Sequence, residues 1–129
     1  MGDRANVVVP DPYNKGQATY LYTHWQGHEL PDTLGAALDR GRGRWTDYAY
    51  LTRIIFNQMT AGQEMQETGF GISTCIGDNS YPLLVVDTEA QVVRVVPEGG
   101  DLLNPDAPTV PFGEATGDAL RALRDGVRV

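Results

Sequence analysis

The chain begins with two segments whose apolar and polar pattern is typical of strands. Residues 5–9 are short and β-branched, and the Pro-Asp-Pro run that follows ends the segment. After turn-forming residues at 13–16, positions 18–25 alternate between two faces, one with Tyr20, Tyr22 and His24 and the other with Leu21, Thr23 and Trp25. The pattern predicts two strands, and the length of the loop between them favours antiparallel pairing.

Apolar residues at helical spacing predict two helices in the middle of the chain. The first is expected to begin near Pro31 and to end at Gly41, because proline suits the first turn of a helix and glycine its end. The second is expected to have Thr46 as its N-cap and to stop near Gly62. Its core-facing side is predicted to consist of Tyr48, Leu51, Ile54, Ile55 and Met59.

Three more strands are predicted in the second half of the chain. Residues 70–76 alternate, and residues 81–87 are apolar on both faces, which is typical of a central strand covered on both sides. A third segment follows at 91–96. Short turns separate the three, so they are expected to form an antiparallel meander.

The remaining signals complete the predicted architecture. Residues 97–111 contain four prolines and are expected to form an irregular surface loop. Thr116 or Gly117 is expected to open a final short helix that ends near Gly126. We therefore predict one α+β domain over residues 1–129. Its mainly antiparallel sheet has about five strands, in the order β-β-α-α-β-β-β-α, with helices packed on one face.

Composition excludes several functional classes. The formal net charge is −7, and an acidic protein repels phosphate backbones, so we expect no general nucleic-acid binding. The single cysteine excludes an internal disulfide framework and a zinc site with several cysteines. No apolar run is long enough to span a bilayer, and the first residues lack a secretory-signal pattern. We expect a cytoplasmic protein with no cofactor and no membrane contact; a homo-oligomer remains open.

Two motifs near the N-terminus resemble a family of small uncharacterised proteins from bacteriophages, plasmids and bacteria. They are Arg-Ala-Asn-Val at 4–7 and Tyr-Leu-Tyr-Thr-His-Trp-Gln-Gly at 20–27. Residues 52–56 and 67–74 are similar to an actinobacterial branch of that family. Gln26 stands where the family more commonly has Asp, which argues against a role that needs a carboxylate there. The resemblance implies an accessory protein of a mobile element, acting in the host cytoplasm where the element is a phage, with no established activity.

The same N-terminal strands carry the candidate binding residues. If they pair, a fixed cation, an amide and several aromatic rings lie near one another on one face, and a second cation on the second helix is a further candidate. This chemistry suits a nucleotide-like or other planar anionic ligand. The predicted ligand-binding residues are Arg4, Asn6, Tyr22, His24, Trp25 and Arg53.

A purely structural interpretation of these residues is equally open. Tyrosine and tryptophan are frequent in strands. Arg4 would then pair with a carboxylate such as Asp3 or Asp87, and His24 would bond to a buried carbonyl.

Two catalytic or metal-binding arrangements are weaker alternatives. His24 and His28 have the i, i+4 spacing of helical metal ligands, but His24 is expected to end a strand and no H-E-x-x-H pattern is present, so no metal site is predicted. A small hydrolase would use His24 with Ser73 or Cys75, yet the G-x-S-x-G elbow is missing and no catalytic residue is assigned.

The first functional hypothesis is therefore a non-enzymatic accessory protein that binds a small polar or anionic ligand, with sequestration of a nucleotide-derived defence signal as its sharpest form. The second is an inhibitor that binds a host or defence protein through acidic residues. These residues lie around the proline-rich loop and are Glu89, Glu98, Asp101, Asp106 and Glu114.

Overall fold

A computed structural model describes residues 2–127, so residues 1, 128 and 129 of the predicted domain lie outside the described part. It contains six strands, three α-helices and three short 3-10 turns. The strands are β1 Ala5–Pro10, β2 Ala18–Thr23, β3 Phe70–Ser73, β4 Leu83–Asp87, β5 Val92–Val96 and β6 Thr109–Pro111. The helices are α1 Leu30–Arg40, α2 Tyr48–Thr60 and α3 Gly117–Asp125, and the 3-10 turns are Gly27–Glu29, Arg42–Arg44 and Phe112–Glu114.

The six strands form one mixed sheet in the order β3-β2-β1-β4-β5-β6. Neighbouring strands are antiparallel except for β1 and β4, which run parallel with Val8 opposite Val85. The α+β class is confirmed, whereas the prediction of about five strands in a mainly antiparallel sheet needs correction on both counts. The predicted pairing of β1 with β2 is correct, with Asn6 opposite Tyr22.

The expected meander of the third, fourth and fifth strands is wrong. β3 pairs with β2 at the edge of the sheet, while β4 lies beside β1 and only β4 and β5 form a hairpin. The chain therefore crosses two strands between β3 and β4, in a stretch that we call the crossover segment (residues 74–82). The sequence does not predict this arrangement. β1 is apolar enough to pair with a strand on either side, and no local signal identifies which strand that will be.

All three helices pack on one face of the sheet. Side chains at alternate positions of β1, such as Val7 and Val9, join the helical residues Leu34, Ile55 and Leu120 in the main core. We call the opposite surface the helix-free face. There Val8 and its neighbours on β4 and β5 form a smaller core covered by Leu102 and Ala107, so residues 97–108 close the sheet from that side.

Two local predictions require correction. Residues 97–111 are not irregular throughout, because Thr109–Pro111 forms β6 and pairs with β5. The N-cap of α2 is Asp47 rather than Thr46, and the Asp47 carboxylate accepts a hydrogen bond from the backbone N–H of Tyr50 at 3.0 Å. Both residue types are good N-caps, so the sequence alone does not decide between neighbours.

Most of the helical signals are confirmed. Pro31 lies in the first turn of α1, and Gly41 is its C-cap. Thr116 caps α3 by accepting a hydrogen bond from the N–H of Ala119 at 3.2 Å. The predicted core face of α2 is also correct, since three of its side chains are buried and two are partly buried against the main core. No helix within residues 2–127 is long and apolar enough to cross a membrane.

Candidate functional site

Pairing of β1 with β2 brings several of the predicted binding residues together. Asn6 and Tyr22 are cross-strand neighbours on the helix-free face, and His24 follows β2 directly on the same side. Arg4 lies just before β1 and reaches the His24 ring. We call the surface group of Arg4, Tyr22, His24 and Trp25 the Arg4 cluster.

Two polar contacts in the Arg4 cluster hold the His24 ring through Nδ1. The Nδ1 atom lies 2.8 Å from the Tyr22 hydroxyl and 3.4 Å from Nε of Arg4. A guanidinium only donates hydrogen bonds, so the Arg4 contact favours the tautomer in which Nδ1 accepts and Nε2 carries the proton. Nε2 has no hydrogen-bond partner within residues 2–127 and is not buried, so it is available to another molecule.

Trp25 supplies the apolar part of the Arg4 cluster. Its side chain is 53% exposed, and its ring meets the His24 ring edge-on with the centroids 4.8 Å apart. The indole lies directly over Gly69, where a Cβ atom would come within 2.7 Å of the ring. Gly69 also has a φ of +103°, which side chains rarely adopt, so glycine is required there for two reasons.

Asn6 supports the cluster from beneath the surface. It is fully buried, and its side-chain N–H groups face the carbonyls of Gly77 and Asp78 while its Oδ1 accepts from the N–H of Gly77. The crossover segment is thereby held over the sheet, where Gly77 packs on the Tyr22 ring. The amide of Asn6 is thus occupied by the protein's own backbone.

Within residues 2–127 the Arg4 guanidinium has only a long, solvent-exposed ion pair. Asp78 is nearest, with its Oδ2 4.0 Å from Nε of Arg4, and it is itself largely exposed. The two partners proposed from sequence are engaged elsewhere: Asp3 bonds to Tyr81 and His28, and Asp87 pairs with Arg94 at 3.0 Å. Since the Arg4 side chain is 38% exposed, its charge is accessible from solution.

Arg53 is not brought to this cluster. It lies on the exposed side of α2, and α2 packs on the sheet face opposite to the one that carries Tyr22. The structure therefore brings together Arg4, Tyr22, His24 and Trp25, with Asn6 below them, and leaves Arg53 in the helical layer.

A second polar network adjoins the Arg4 cluster. Asp3 accepts hydrogen bonds from the Tyr81 hydroxyl at 2.5 Å and from the backbone N–H of His28 at 3.0 Å, and it contacts Nδ1 of His28 at 2.5 Å. Burial tends to raise the pKa of Asp3, but the hydrogen bonds from Tyr81 and His28 outweigh it and lower that pKa. Burial and the Asp3 carboxylate together raise the pKa of Tyr81.

Arg124 closes this network from α3. It is only 2% exposed, its guanidinium carbon lies 3.9 Å from the centre of the Tyr81 ring, and one of its N–H groups donates to the Gly27 carbonyl at 2.7 Å. Burial lowers the pKa of Arg124. Stacking on Tyr81 and the nearby Asp125 and Asp3 carboxylates offset only part of this cost, and Nε of Arg124 has no hydrogen-bond partner within residues 2–127.

Sequence reasoning did not find this network. Its members are Asp3, His28, Tyr81 and Arg124, and none belongs to a recognisable motif. The hydrogen-bonded partners of Asp3 lie 25 and 78 residues away along the chain, and Arg124 bonds to a carbonyl 97 residues away. The only local signal is the position of His28 beside Gly27, which allows the backbone to turn close to Asp3.

The metal arrangement and the pairing of His24 with Ser73 have no geometric support. His24 and His28 bond to different partners, and residues 2–127 contain no group of three or more His, Cys, Asp or Glu placed to hold a metal ion. Ser73 lies opposite Tyr20, four residues along β3 from Gly69, which bonds to His24. At about 3.3 Å per residue, that separation is about 13 Å, far beyond hydrogen-bond reach.

Comparison with protein-family models, with curated proteins and with solved structures found no match to this chain. The functional interpretation therefore rests on the geometry of the Arg4 cluster and on the residues that support it.

Proposed function

We propose that the protein is a non-enzymatic binding protein whose Arg4 cluster holds a small ligand with a planar ring and an anionic group. The observation that carries the proposal is the contact of Arg4 with His24 beside an exposed indole. A buried or fully paired arginine would support a structural role instead. Here the nearest carboxylate is 4.0 Å away and exposed, so an anionic ligand can displace it.

Each member of the Arg4 cluster has a distinct part in this binding. The Arg4 guanidinium supplies a fixed positive charge with several N–H donors, which suits phosphate or carboxylate oxygens. Nε2 of His24 adds a second polar group that is free to contact the ligand, because Nδ1 is engaged within the cluster. Trp25 offers an aromatic face for a planar ring, and Tyr22 holds the imidazole in place.

Nucleotides are the ligand class that best combines these features. They carry a stackable base and a phosphate at a distance that neighbouring aromatic and cationic side chains can match. The resemblance of residues 4–7 and 20–27 to proteins of phages and plasmids supports a mobile-element role. Within that role, capture of a nucleotide-derived defence signal in the cytoplasm is the sharpest form of the proposal.

The test is a thermal-shift panel of nucleoside monophosphates, diphosphates and cyclic nucleotides, followed by calorimetric titration of any hit. Wild-type protein is compared with Arg4→Gln and Trp25→Leu, and with Arg44→Gln as the matched control. Arg44 is exposed and stacks on Tyr50 of α2, in the helical layer. Circular dichroism verifies that all variants are folded.

At least one nucleotide is expected to raise the melting temperature of the wild type and of Arg44→Gln. Arg4→Gln is expected to weaken its affinity by about 10- to 100-fold, since a hydrogen bond to a charged group contributes about 1.5–3 kcal/mol. The proposal fails if no panel member shifts the wild type, or if Arg4→Gln binds as tightly as the control does.

Exposure of the acidic residues supports a second candidate, an inhibitor that binds a basic host protein. All five carboxylates named for it are exposed along one stretch of chain, namely Glu89, Glu98, Asp101, Asp106 and Glu114. An acidic surface of this kind accelerates association with a basic partner and loses that effect in salt. A pull-down at low and high salt tests it, with Glu98→Gln/Asp106→Asn as the variant that should lose the partner.

A further inference from the structure

The two edges of the sheet differ in how they are protected. The β6 edge has three residues, ends in Pro111 and follows Pro108, and proline cannot extend a strand ladder. The β3 edge, Phe70–Ser73, has no proline and no charged side chain, and no helix within residues 2–127 packs along it. Open strand edges readily pair with another chain unless a proline, a charged side chain or a covering helix protects them.

The hydrogen-bond register shows which groups of β3 are available. The N–H of His24 donates to the carbonyl of Gly69 at 2.9 Å, so the pairs Gly69–His24 and Gly71–Tyr22 bond to each other across the two strands. In an antiparallel ladder the alternate residues then point away from the partner strand. The N–H and C=O groups of Phe70 and Ile72 therefore face outward from the sheet.

The Ile72 side chain is also unpartnered at this edge. It lies opposite Leu21, on the same side of the sheet as the helices, and is 61% exposed. Ile76, just beyond β3, is exposed as well. A second copy of this edge would cover the Ile72 side chain and so remove apolar surface from water.

The absence of charged side chains around β3 indicates which partner this edge can accept. Residues 68–77 include no Asp, Glu, Lys or Arg, although the chain as a whole carries a net charge of −7. A twofold axis brings each residue near its own equivalent, which is unfavourable wherever like charges meet. This uncharged edge escapes that penalty, so it can face a second copy of itself.

We propose that β3 is a dimerisation edge, on which β3 of a second copy pairs antiparallel around a twofold axis at Ile72. The outward groups of Ile72 then bond to those of Ile72 in the second copy, and the two side chains cover each other on the helix side. The sheets of both copies join into one. The Arg4 cluster lies on the opposite face, so this proposal stands or fails independently of ligand binding.

Sedimentation of the full chain under reducing conditions tests the proposal. The contact is small, so a monomer–dimer equilibrium is expected between about 10 µM and 1 mM. Ile72→Lys places two like charges at the axis and is expected to remain monomeric throughout that range. Leu103→Lys makes the same change at another exposed position and is expected to dimerise like the wild type.

Disulfide trapping tests the register. In Ile72→Cys/Cys75→Ser the two new thiols lie across the axis, at a Cα separation of about 5.5 Å that a disulfide can bridge. This variant is expected to form a covalent dimer under mild oxidation, whereas Leu103→Cys/Cys75→Ser is not. A wild type that stays monomeric up to about 1 mM, or dimers that persist in Ile72→Lys, would overturn the proposal.

Discussion

At the scale of single residues, Asp3 has a structural role that no sequence motif suggests. Its carboxylate bonds to His28, in the 3-10 turn that follows β2, and to Tyr81, two residues before β4. The Tyr81 ring in turn stacks on the buried Arg124 of α3. Its backbone adds two further bonds, from its own N–H to the His24 carbonyl and from the Gly27 N–H to its carbonyl. Asp3 therefore anchors the segment that carries Arg4.

The lowered pKa of Asp3 predicts a specific dependence of stability on pH. Because the folded protein binds this proton less tightly than the unfolded chain does, the stabilising contribution of Asp3 is complete above the usual aspartate pKa of about 3.9. It is lost as the pH falls through the lower folded value. Urea unfolding of the wild type between about pH 6 and pH 3 is expected to show a steeper loss of stability below about pH 4 than Asp3→Asn.

Asp3→Asn keeps the shape of the side chain and removes its titration. A difference in pH dependence between this variant and the wild type therefore reports the Asp3 carboxylate. At pH 6 this variant is expected to be less stable than the wild type, and the two should converge as the medium becomes acidic. Parallel curves over the whole range would mean that Asp3 does not contribute in its ionised form.

Part of the residue-level arrangement is predictable from sequence. The proximity of Arg4 and His24 follows from the pairing of two strands that are close in the chain. The partners of Asp3 do not, since Tyr81 reaches it only because β4 inserts beside β1. The burial of Asn6 is hidden for the same reason: the carbonyls it contacts belong to the crossover segment.

At the scale of elements, helix ends follow local chemistry that can be tested directly. Asp47→Ala removes the carboxylate that accepts from the Tyr50 N–H and is expected to lower the free energy of unfolding by about 1 kcal/mol. For a chain of this length that corresponds to a fall of about 4 °C in melting temperature, measured by calorimetry.

Thr46→Ala is the matched control, since Thr46 is also a good capping residue and lies one position earlier. It is expected to change the free energy of unfolding by less than about 0.5 kcal/mol, like other exposed substitutions. A larger loss of unfolding free energy for Thr46→Ala than for Asp47→Ala would mean that Thr46 is the N-cap of α2, as the sequence predicted.

Helices were easier to predict than strand order for a physical reason. Proline at the start, glycine at the end and apolar spacing all act within one segment, and they located α1 and α3 well. Strand order depends on contacts between segments far apart in the chain. Gly35 illustrates the same limit: it weakens α1 locally, yet a Cβ there would lie 2.8 Å from the backbone of Gly117, so the α1–α3 contact requires glycine.

At the scale of the whole molecule, the sheet is most protected at its centre. β1 and β4 have neighbours on both sides, a helical layer on one face and residues 97–108 over part of the other. Val8 and Val85 are fully buried at this junction. Local opening therefore cannot expose them, and only unfolding of the entire sheet can.

Hydrogen exchange followed by NMR measures the difference in protection between the centre of the sheet and its β6 edge. The amides of Val8 and Val85 are expected to exchange with the free energy of global unfolding. The amide of Val110, in the three-residue edge strand β6, is expected to exchange at least tenfold faster, because β6 can separate from β5 alone. Equal protection at the three positions would mean that the sheet opens only as one unit.

Because β1 pairs with β4, one edge of β1 stays unpaired during part of synthesis. β1 is synthesised before its second neighbour β4, which ends at Asp87, 77 residues after β1 ends at Pro10. At about 5–20 residues per second, translation needs about 4–15 s to supply that neighbour. During this time the nascent chain carries a valine-rich strand with one edge open, so the segment destined for the middle of the molecule is the one that most needs shielding by a chaperone.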